Sequence, residues 1–513
     1  MQILSQKKNC KSRIIKFFLI IYIFVIGGCK KLVDVGEPLT TVTTTEVFST
    51  DAQANSTLAA IYSQMMTNTG NLVWSNGAVT IYGGLSSDEL INFAGTGNNT
   101  DYQFFSNSLL SDNSNINSYF WQPAYQMIYN CNAAIMGMAS NKSGLLHDSV
   151  KNELTGEAKF LRAFCYFYLT NLFGDVPLIL TTDFNQTSLM ARSSQNQIYR
   201  QIIQDLKDAQ SVLPTDYSAG QGERIRANKY AAAALLARVY IFQAQPDWAA
   251  AIAETDTVIG SSLFSLDILN GVFQKNSKEA IFQLQQNSNL DNGVRNGTWD
   301  GYEFLNQLTY EQLPVGDSIT SGTQEYEAIP ANFNQDLPYL IGQYYLSPSL
   351  VNSFEIGDNR KLQWTDSLPN PNGATYFSPY KYTLWWTTTG GAIPQYYVVL
   401  RLAEQYLIRA EAEAQLNQIS PAAQDINIIR SRAGLGPITS STQEDLLKAI
   451  YHEREVELFC EWGHRWFDLK RWGNAVGTLT VNKGLPVSTN SLIWPIPQTE
   501  LTTDPNLIQN PGY

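Results

Sequence analysis

The 513-residue sequence lacks most of the patterns on which enzyme chemistry depends. Its three histidines, His147, His452 and His464, form no HExxH pair, and neither a GxSxG elbow nor a GxxxxGKS or GxxxxGKT loop is present. Its five cysteines show no CxxC spacing of the kind that binds zinc. These absences argue against zinc hydrolase, serine hydrolase and nucleotide-dependent chemistry, and we expect no cofactor and no metal ion.

Charged residues are also scarce. They make up 16% of the chain, against about 25% in an average soluble protein, while 44% of the residues are hydrophobic. The net charge is -12, and because residues 1–28 hold five basic residues and no acid, the rest of the chain carries -17. This composition indicates a folded protein with a large core, and we expect no nucleic-acid partner for so acidic a chain.

No hydrophobic run is long enough to span a membrane. The longest stretch near the N-terminus, Phe17–Ile26, has ten residues and follows five basic ones, which is typical of a signal peptide over residues 1–28. Gly27, Gly28 and Cys29 resemble a bacterial lipobox, so we predict cleavage before Cys29 and acylation of its sulfur; the alternative is an ordinary signal peptide with an incidental cysteine. More than one acyl chain would anchor the protein stably.

The remaining chain divides by composition into four parts. Residues 29–50 are rich in threonine and predict a tether, and residues 51–265 follow helical patterns except for a polar stretch over 68–117. That stretch is typical of a functional loop region or small hairpins. Residues 266–398 are loop-rich and predict short strands and helices, and residues 399–513 return to helical patterns before a proline-rich tail.

The stretch Glu153–Leu178 is predicted to hold a buried helix at the centre of the protein, which ends before Leu178. It is apolar around most of its circumference, and Gly174 and Pro177 end it abruptly. Cys131, Cys165 and Cys460 lie in apolar helical settings, so we expect buried free thiols rather than disulfides.

Two later segments predict close-packed helical hairpins of the tetratricopeptide type. Residues 226–260 form one, broken at Gln245–Pro246, and residues 401–435 form another, broken near Ser420–Pro421. Alanines at the facing positions allow the helices to approach closely. A last helix is predicted from about Glu444.

Together these segments resemble the SusD/RagB family of outer-membrane nutrient-binding lipoproteins over Cys29–Tyr513. The resemblance implies a mainly α fold, in which tetratricopeptide-like helix pairs support an irregular, loop-rich ligand-facing region with short strands. The matching stretches, in chain order, are EAKFLRAFCYFYLTNLFGDVPL, KYAAAALLARVYIF, RLAEQYLIRAEA, INIIRSRAGL, EREVELFCEWGHRWFDLKRW and WPIPQTEL with the final NPGY.

The resemblance also implies a role and a partner. Family members bind without catalysing, and they hand an oligosaccharide, or peptides in the RagB branch, to a SusC-like TonB-dependent outer-membrane transporter. We therefore expect a lipid-anchored protein at the cell outer membrane, facing outside, that captures a glycan; the alternative is a peptide or another nutrient. The chain departs from the family after Cys29, where Lys30, Lys31 and a lone Asp34 replace the acidic pair that often accompanies surface export.

Aromatic residues in the loop-rich stretches are the best candidates for ligand contact. A flat ring with a polar edge can stack on the C–H face of a sugar, and nearby acids, amides and arginines can bind its hydroxyls. Family architecture implies a site where residues 68–117 meet the middle region, although each ring could equally pack beneath a loop. The predicted ligand-binding residues are Trp74, Trp299 and Tyr302, then Trp385 and Trp386, with Asp88, Asn92, Arg295 and Asp300 as polar partners.

Glu453, Glu457 and Glu461 recur at steps of four and offer a third reading of the chain, as a surface glycoside hydrolase with paired carboxylates. Catalysis requires two carboxylates that face each other across a cleft, whereas these would lie on one helix face. We therefore expect an ion-paired structural face.

Overall fold

Helices dominate the structure, a computed structural model that describes residues 47–67, 72–286, 297–305, 343–369, 375–384, 393–440 and 442–513. The chain divides into two units, Met1–Val47 and Phe48–Tyr513, and the features below belong to the second. The described α-helices are α1 (Asp51–Thr67), α2 (Ala78–Ser86), α3 (Asn99–Phe105), α4 (Gln122–Ser140), α5 (Asp148–Phe173), α6 (Phe184–Thr187), α7 (Gln195–Val212), α8 (Lys229–Phe242), α9 (Trp248–Ile259), α10 (Trp299–Phe304), α11 (Pro348–Ser353), α12 (Asn359–Trp364), α13 (Leu402–Gln415), α14 (Ile419–Arg432), α15 (Gln443–Glu457), α16 (His464–Arg471), α17 (Ala475–Lys483) and α18 (Gln498–Thr503).

The strands of the described residues are short and form four two-stranded antiparallel sheets. The pairs are β1 (Leu90–Asn92) with β5 (Tyr344–Leu346), β2 (Val176–Pro177) with β3 (Arg192–Ser193), β4 (Ala280–Leu284) with β8 (Tyr397–Arg401), and β6 (Thr365–Pro369) with β7 (Thr375–Pro379).

The predicted central helix is confirmed as α5, which begins slightly earlier than expected. Every side chain from Phe160 to Phe173 is buried, so the helix is surrounded on all sides. It ends at Gly174, which has φ 76° and ψ -127° and donates its N–H to the carbonyl of Thr170. Residues with a Cβ seldom adopt this conformation, so the glycine fixes the direction in which the chain leaves the core.

Long helices pack against one another in chain order: α4 on α5, α5 on α7, α7 on α8, α8 on α9, α9 on α13, and α13 on α14. Both predicted hairpins are present, α8 with α9 and α13 with α14. The first break falls at Gln245–Pro246 as predicted. The second lies at Asn417, which has φ 60°, while Pro421 occupies the first turn of α14, where its missing N–H costs nothing.

The polar stretch over 68–117 is mostly core, and the prediction of a loop region was wrong here. Residues 68–71 lie outside the described part, and the rest contains α2, β1 and α3. Every residue of α2 is buried. The hydroxyls of Thr80 and Tyr397 form a hydrogen bond of 2.9 Å, and that of Ser75 donates to the Met65 carbonyl at 2.8 Å. Polar residues are buried here because distant segments satisfy them, which local periodicity does not register.

The middle region contains short helices and strands as predicted; β6 and β7 pair with each other, whereas β4 and β5 pair with strands at or beyond the ends of the region. Strand β5 pairs with β1 of the early segment, and β4 pairs with β8, directly before α13. Through these two strand pairs, the middle region is hydrogen-bonded to the early segment and to the strand that precedes α13.

The predicted last helix, from about Glu444 to Gly473, is two helices, α15 and α16, and α17 begins beyond it. The chain turns between Leu458 and Gly463, where Cys460 and Trp462 both have φ 49° and Gly463 has φ 67°. Three positive φ values interrupt the helix although the apolar pattern continues through them.

Cys131, Cys165 and Cys460 are buried free thiols, as predicted. Among the described helices, none is both long and apolar enough to cross a membrane. Residues 1–46, which contain the predicted signal peptide, Cys29 and most of the tether, lie outside the described part of the chain.

Candidate ligand-binding site

The early segment and the middle region meet at the β1–β5 pair. Leu90, Ile91 and Asn92 lie opposite Leu346, Tyr345 and Tyr344. The pairing extends by one hydrogen bond at each end, since the Phe93 N–H donates to the Gln343 carbonyl at 3.0 Å and the Ser347 N–H donates to the Glu89 carbonyl at 2.8 Å. Two segments some 250 residues apart in sequence therefore form one small platform.

Three aromatic rings cluster on this platform. The centroid of Phe93 lies 4.3 Å from that of Tyr345 and 5.0 Å from that of Tyr376, and the two tyrosine rings are 5.0 Å apart. All three side chains are half-buried, so each ring packs against the others and keeps part of its surface accessible. We call Phe93, Tyr345 and Tyr376 the three-ring cluster.

A buried hydrogen-bond network supports the cluster from below. The Asp101 carboxylate accepts from the hydroxyl of Tyr344 at 2.8 Å, from that of Tyr82 at 3.1 Å, and from the side-chain amides of Asn92 and Asn98 at 2.9 Å each. Burial raises the pKa of Asp101 above its usual value, and these hydrogen bonds act in the opposite direction. Asp101 thereby fixes β5 to the early segment.

Helix α10 carries two further rings close to β5. Trp299 and Tyr302 lie with centroids 5.8 Å apart and planes at 83°, and both are half-buried. Thr298 caps the helix by accepting the Gly301 N–H at 2.9 Å. Gly77, with φ 142°, packs beneath Trp299, where an added Cβ would lie 2.9 Å from the tryptophan Cβ. The backbone under this ring is therefore closely fitted.

Asp300 anchors α10 in the core. It is 3% exposed, and its Oδ1 has no hydrogen-bond partner among the described residues. Burial raises the pKa of Asp300 well above its usual value; the Tyr397 hydroxyl and Lys381 oppose the shift, and the carboxylates of Glu461 and Glu303 add to it. Because Asp300 is buried, it suits a positioning role rather than direct ligand contact.

The other predicted ligand residues among the described ones are buried. Trp74 is 2% exposed, its ring centroid 5.5 Å from that of Phe164 and 5.7 Å from that of Tyr168, so it offers no ring face to a ligand in this structure. Asn92 uses its amide on Asp101 and its oxygen on the Ala94 N–H.

Asp88 accepts a bidentate pair from Arg465 at 2.7 and 2.9 Å and a hydrogen bond from Asn482 at 2.7 Å. Burial acts to raise its pKa, but Arg465 outweighs burial and holds the pKa below the usual value. The geometry makes Asp88 a structural ion-pair partner. Arg295, Trp385 and Trp386 lie outside the described residues.

None of the three members of the cluster is among the predicted ligand residues: neither Phe93 of the early segment nor the two tyrosines of the middle region, Tyr345 and Tyr376. Both follow or precede another aromatic residue inside the loop-rich region, at Tyr344–Tyr345 and Tyr376–Phe377. These adjacent aromatic pairs are the signal in the sequence that marks the two tyrosines. Trp364, one of the loop tryptophans, is buried and donates its indole N–H to the Leu269 carbonyl.

The predicted ion-paired face of Glu453, Glu457 and Glu461 is confirmed. Glu453 and Glu457 are fully buried and lie on α15, while Glu461 lies beyond its end, in the turn that follows. The partners are Arg360 and Arg430 for Glu453, Arg360, Arg401 and Arg432 for Glu457, and Arg401 and Lys381 for Glu461.

The electrostatics of this network follow from its geometry. Burial acts to raise the pKa of Glu457, but three arginines outweigh burial and hold the pKa well below its usual value. Each of these carboxylates faces cations rather than a second carboxylate across a cleft.

Comparison with known proteins agrees with this fold. Residues 357–513 match the family model described as SusD family, and residues 45–241 match the model described as starch-binding associating with outer membrane. The SusD-like protein P2 of Formosa agariphila is 27% identical over 97% of this chain and 99% of its own length. The starch-binding protein SusD of Bacteroides thetaiotaomicron is 26% identical over 70% of this chain and 72% of its own.

Among solved structures, a laminarin-binding SusD-like protein superimposes with a TM-score of 0.71 at 24% identity, covering 90% of this chain and all of its own. The likeness defines the class of the protein, a mainly α-helical scaffold with the SusD-superfamily fold. Both family models match in chain order, and the chain is similar to the SusD/RagB family over most of its length.

Proposed function

We propose that the protein captures a glycan at the cell surface and hands it to a SusC-like TonB-dependent outer-membrane transporter. The observation that carries the proposal is the set of half-exposed rings at the junction of the early segment and the middle region, formed by the three-ring cluster together with Trp299 and Tyr302 on α10. Rings held in place by their neighbours offer apolar faces to sugar C–H groups at little entropic cost.

Polar groups for the sugar hydroxyls are available beside the rings. The segment after Phe93 exposes Thr96 and Asn99, and it runs directly from the platform into α3. A hydroxyl and an amide supply both donors and acceptors. The relative described as a starch-binding protein supports the choice of a carbohydrate ligand over a peptide.

The proposed role is binding without catalysis. Glu453, Glu457 and Glu461 are committed to buried arginine and lysine partners, so they serve the architecture. The proposed position at the outer membrane, facing outside, rests on the predicted acylation of Cys29 and on the family description that names outer-membrane association.

Binding is tested with purified protein against a panel of polysaccharides by affinity gel electrophoresis, followed by calorimetry on oligosaccharides of the best hit. We expect at least one glycan to bind the wild type, and Tyr345→Ala/Tyr376→Ala to lose most of the affinity. Tyr129→Ala, an exposed aromatic on α4, is the matched control and should bind normally. If no polysaccharide of the panel binds, and calorimetry detects binding of a peptide mixture, the glycan proposal is overturned in favour of a peptide ligand.

The anchor and the partner have separate tests. A Cys29→Ala protein should leave the membrane fraction, and wild-type protein should co-purify with a TonB-dependent transporter from detergent-solubilised outer membranes. Recovery of Cys29→Ala in the membrane fraction at the wild-type level would contradict the lipid anchor, and isolation without any transporter would contradict the hand-off.

A further inference from the structure

We propose that a cleft between α12 and the β6–β7 hairpin is a second saccharide-binding site, separate from the three-ring cluster. The proposal takes its ligand class from the proposed function, and the site itself rests on independent geometry. Two cavities of about 720 Å³ and about 270 Å³ share the lining residues Asn270, Gln363 and Tyr380, so they adjoin, and together we call them the cleft. Its volume falls in the range of ligand sites in proteins.

The cleft has a rigid floor. Trp364 is 1% exposed and donates its indole N–H to the Leu269 carbonyl at 3.0 Å. Below the wall formed by α12, Arg360 is held by Asp358 at 2.8 Å and by Glu453 at 2.6 Å. Because these side chains are already fixed by buried hydrogen bonds and ion pairs, ligand binding would cost little of their conformational entropy.

Aromatic rings line the cleft at three points, Phe354, Phe377 and Tyr380. The Lys361 ammonium lies 5.4 Å from the centroid of Phe377 and donates to the Val351 carbonyl at 3.0 Å, which holds the lysine across the edge of the cleft. Apolar ring faces within a half-open cleft are suited to the C–H faces of a pyranose.

Uncommitted polar side chains accompany these rings. Asn270, Gln363 and Ser367 line the cleft, and none of their side chains makes a hydrogen bond to another described residue. Two amides and a hydroxyl provide donors and acceptors for vicinal hydroxyls.

The charges in the wall favour a neutral ligand. Glu355 and Glu453, which lie close to His452, each accept from Arg430, and Asp358 is committed to Arg360. These acids are already neutralised by arginine, so they do not form a free cation site. An uncharged, hydroxyl-rich molecule fits the groups that remain.

The hairpin connects the two sites. Tyr376 and Phe377 are consecutive in β7, so their side chains leave opposite faces of the hairpin. Tyr376 packs into the three-ring cluster, while Phe377 lines the cleft. One polysaccharide that reaches both faces would bind more tightly than to either face alone, since the second contact is intramolecular.

The test uses the full mature protein and whichever polysaccharide of a panel containing starch and laminarin retards the wild type in affinity gels. The variants are Asn270→Ala/Gln363→Ala for the cleft, Tyr345→Ala/Tyr376→Ala for the cluster, and both sets combined. Asn185→Ala/Gln186→Ala, two exposed amides on α6, is the matched control. Thermal melting confirms that each variant is folded.

We expect the cleft variant to bind about tenfold more weakly than the wild type, since two hydrogen bonds are lost. The cluster variant should retain weak binding that the combined variant loses, and the control should match the wild type. Hydrogen exchange should show that the glycan protects residues 356–369 in the wild type and in the cluster variant, but not in the cleft variant.

The outcomes separate this proposal from the one on which it rests. A wild type that binds no glycan overturns both. A cluster variant without any residual binding, or a cleft variant with wild-type affinity and undiminished exchange protection, overturns the second site and leaves the proposed function standing.

Discussion

Tyr376 and Phe377 are neighbours on one strand, and their rings belong to different surfaces of the molecule. The Tyr376 ring lies 5.0 Å from that of Phe93, and the Phe377 ring lies beside the ammonium of Lys361. The β6–β7 hairpin therefore lies between the two surfaces and carries an aromatic side chain on each of its faces. Substitutions at either position can be interpreted separately, because each changes one face.

Tyr376→Ala should weaken glycan binding by about 2 kcal/mol, roughly a 30-fold rise in Kd, because it removes one ring of the three and loosens the other two. Tyr376→Phe keeps the ring and should stay within about threefold of the wild type. Calorimetry on the best oligosaccharide measures both. Equal losses in the two variants would show that the hydroxyl, and not the ring, carries the contact.

Asp300→Asn should leave glycan affinity and thermal stability close to wild type. An amide has nearly the shape of the carboxyl and carries no charge, and burial disfavours charge at this position. Asp300→Ala should lower the Tm and weaken binding together, because α10 loses its anchor. If Asp300→Asn binds glycan tenfold more weakly at an unchanged Tm, Asp300 contacts the ligand directly and the positioning role is wrong.

Arg401→Met should destabilise the protein by about 3–5 kcal/mol, because the buried carboxylates of Glu279, Glu457 and Glu461 each lose a partner. Lys448→Ala is the control, since its pair with Glu444 is exposed and screened by solvent, so this change should leave stability close to that of the wild type. Urea unfolding measures the free energy of both variants. Similar values would mean that the buried network is energetically neutral.

Glu89 should make stability depend on pH. Burial raises its pKa to about 8; the Cys460 N–H, Arg465 and Lys381 oppose the shift, and Asp88 adds to it. The folded state holds the proton and the unfolded state releases it near pH 4.5, so this contribution is complete below about pH 4.5 and is lost as the pH rises through 8.

Glu89→Gln copies the protonated acid and removes the titration. Its free energy of unfolding relative to the wild type should rise by on the order of 3 kcal/mol between pH 5 and pH 9. Asp112→Asn, which alters an exposed acid, controls for the change in net charge. A constant difference across this range would exclude a buried proton at Glu89.

Gly174→Val should lower the free energy of unfolding by about 1–3 kcal/mol, because valine is strained at φ 76° and ψ -127°. Gly477→Ala, in α17 with open space around its Cα, should be neutral or slightly stabilising. Chemical denaturation measures both. If the Gly174→Val protein melts like the wild type yet binds no glycan, the ligand site lies at the end of α5 and the proposed site is wrong.

The helical body could be predicted because its signals are local. The apolar circumference of α5 and the facing alanines of α13 and α14, including Ala410, Ala414 and Ala422, are readable within one or two turns of chain. The turn after α15 was missed because its apolar pattern runs through Cys460 and Trp462, and only the backbone angles break the helix.

The position of the candidate site in the chain could be predicted from the sequence, but the residues that form it could not. The junction of the early segment with the middle region was expected, and β1 and β5 do pair there. The choice of residues was limited by burial, which depends on distant partners: Asp88 finds Arg465 and Trp74 finds Phe164. Polar and aromatic composition alone could not separate these core residues from Tyr345 and Tyr376, which remain half-exposed.

The network around Glu457 also constrains the order in which the chain can acquire its structure. Arg432 donates to the carboxylates of both Glu457 and Glu279, and Glu279 lies 153 residues before Arg432 in the sequence. A nascent chain that ends before residue 457 exposes arginines at positions 360, 401 and 432 without their shared acceptor. The charged centre therefore closes only after nearly all of the polypeptide has been made.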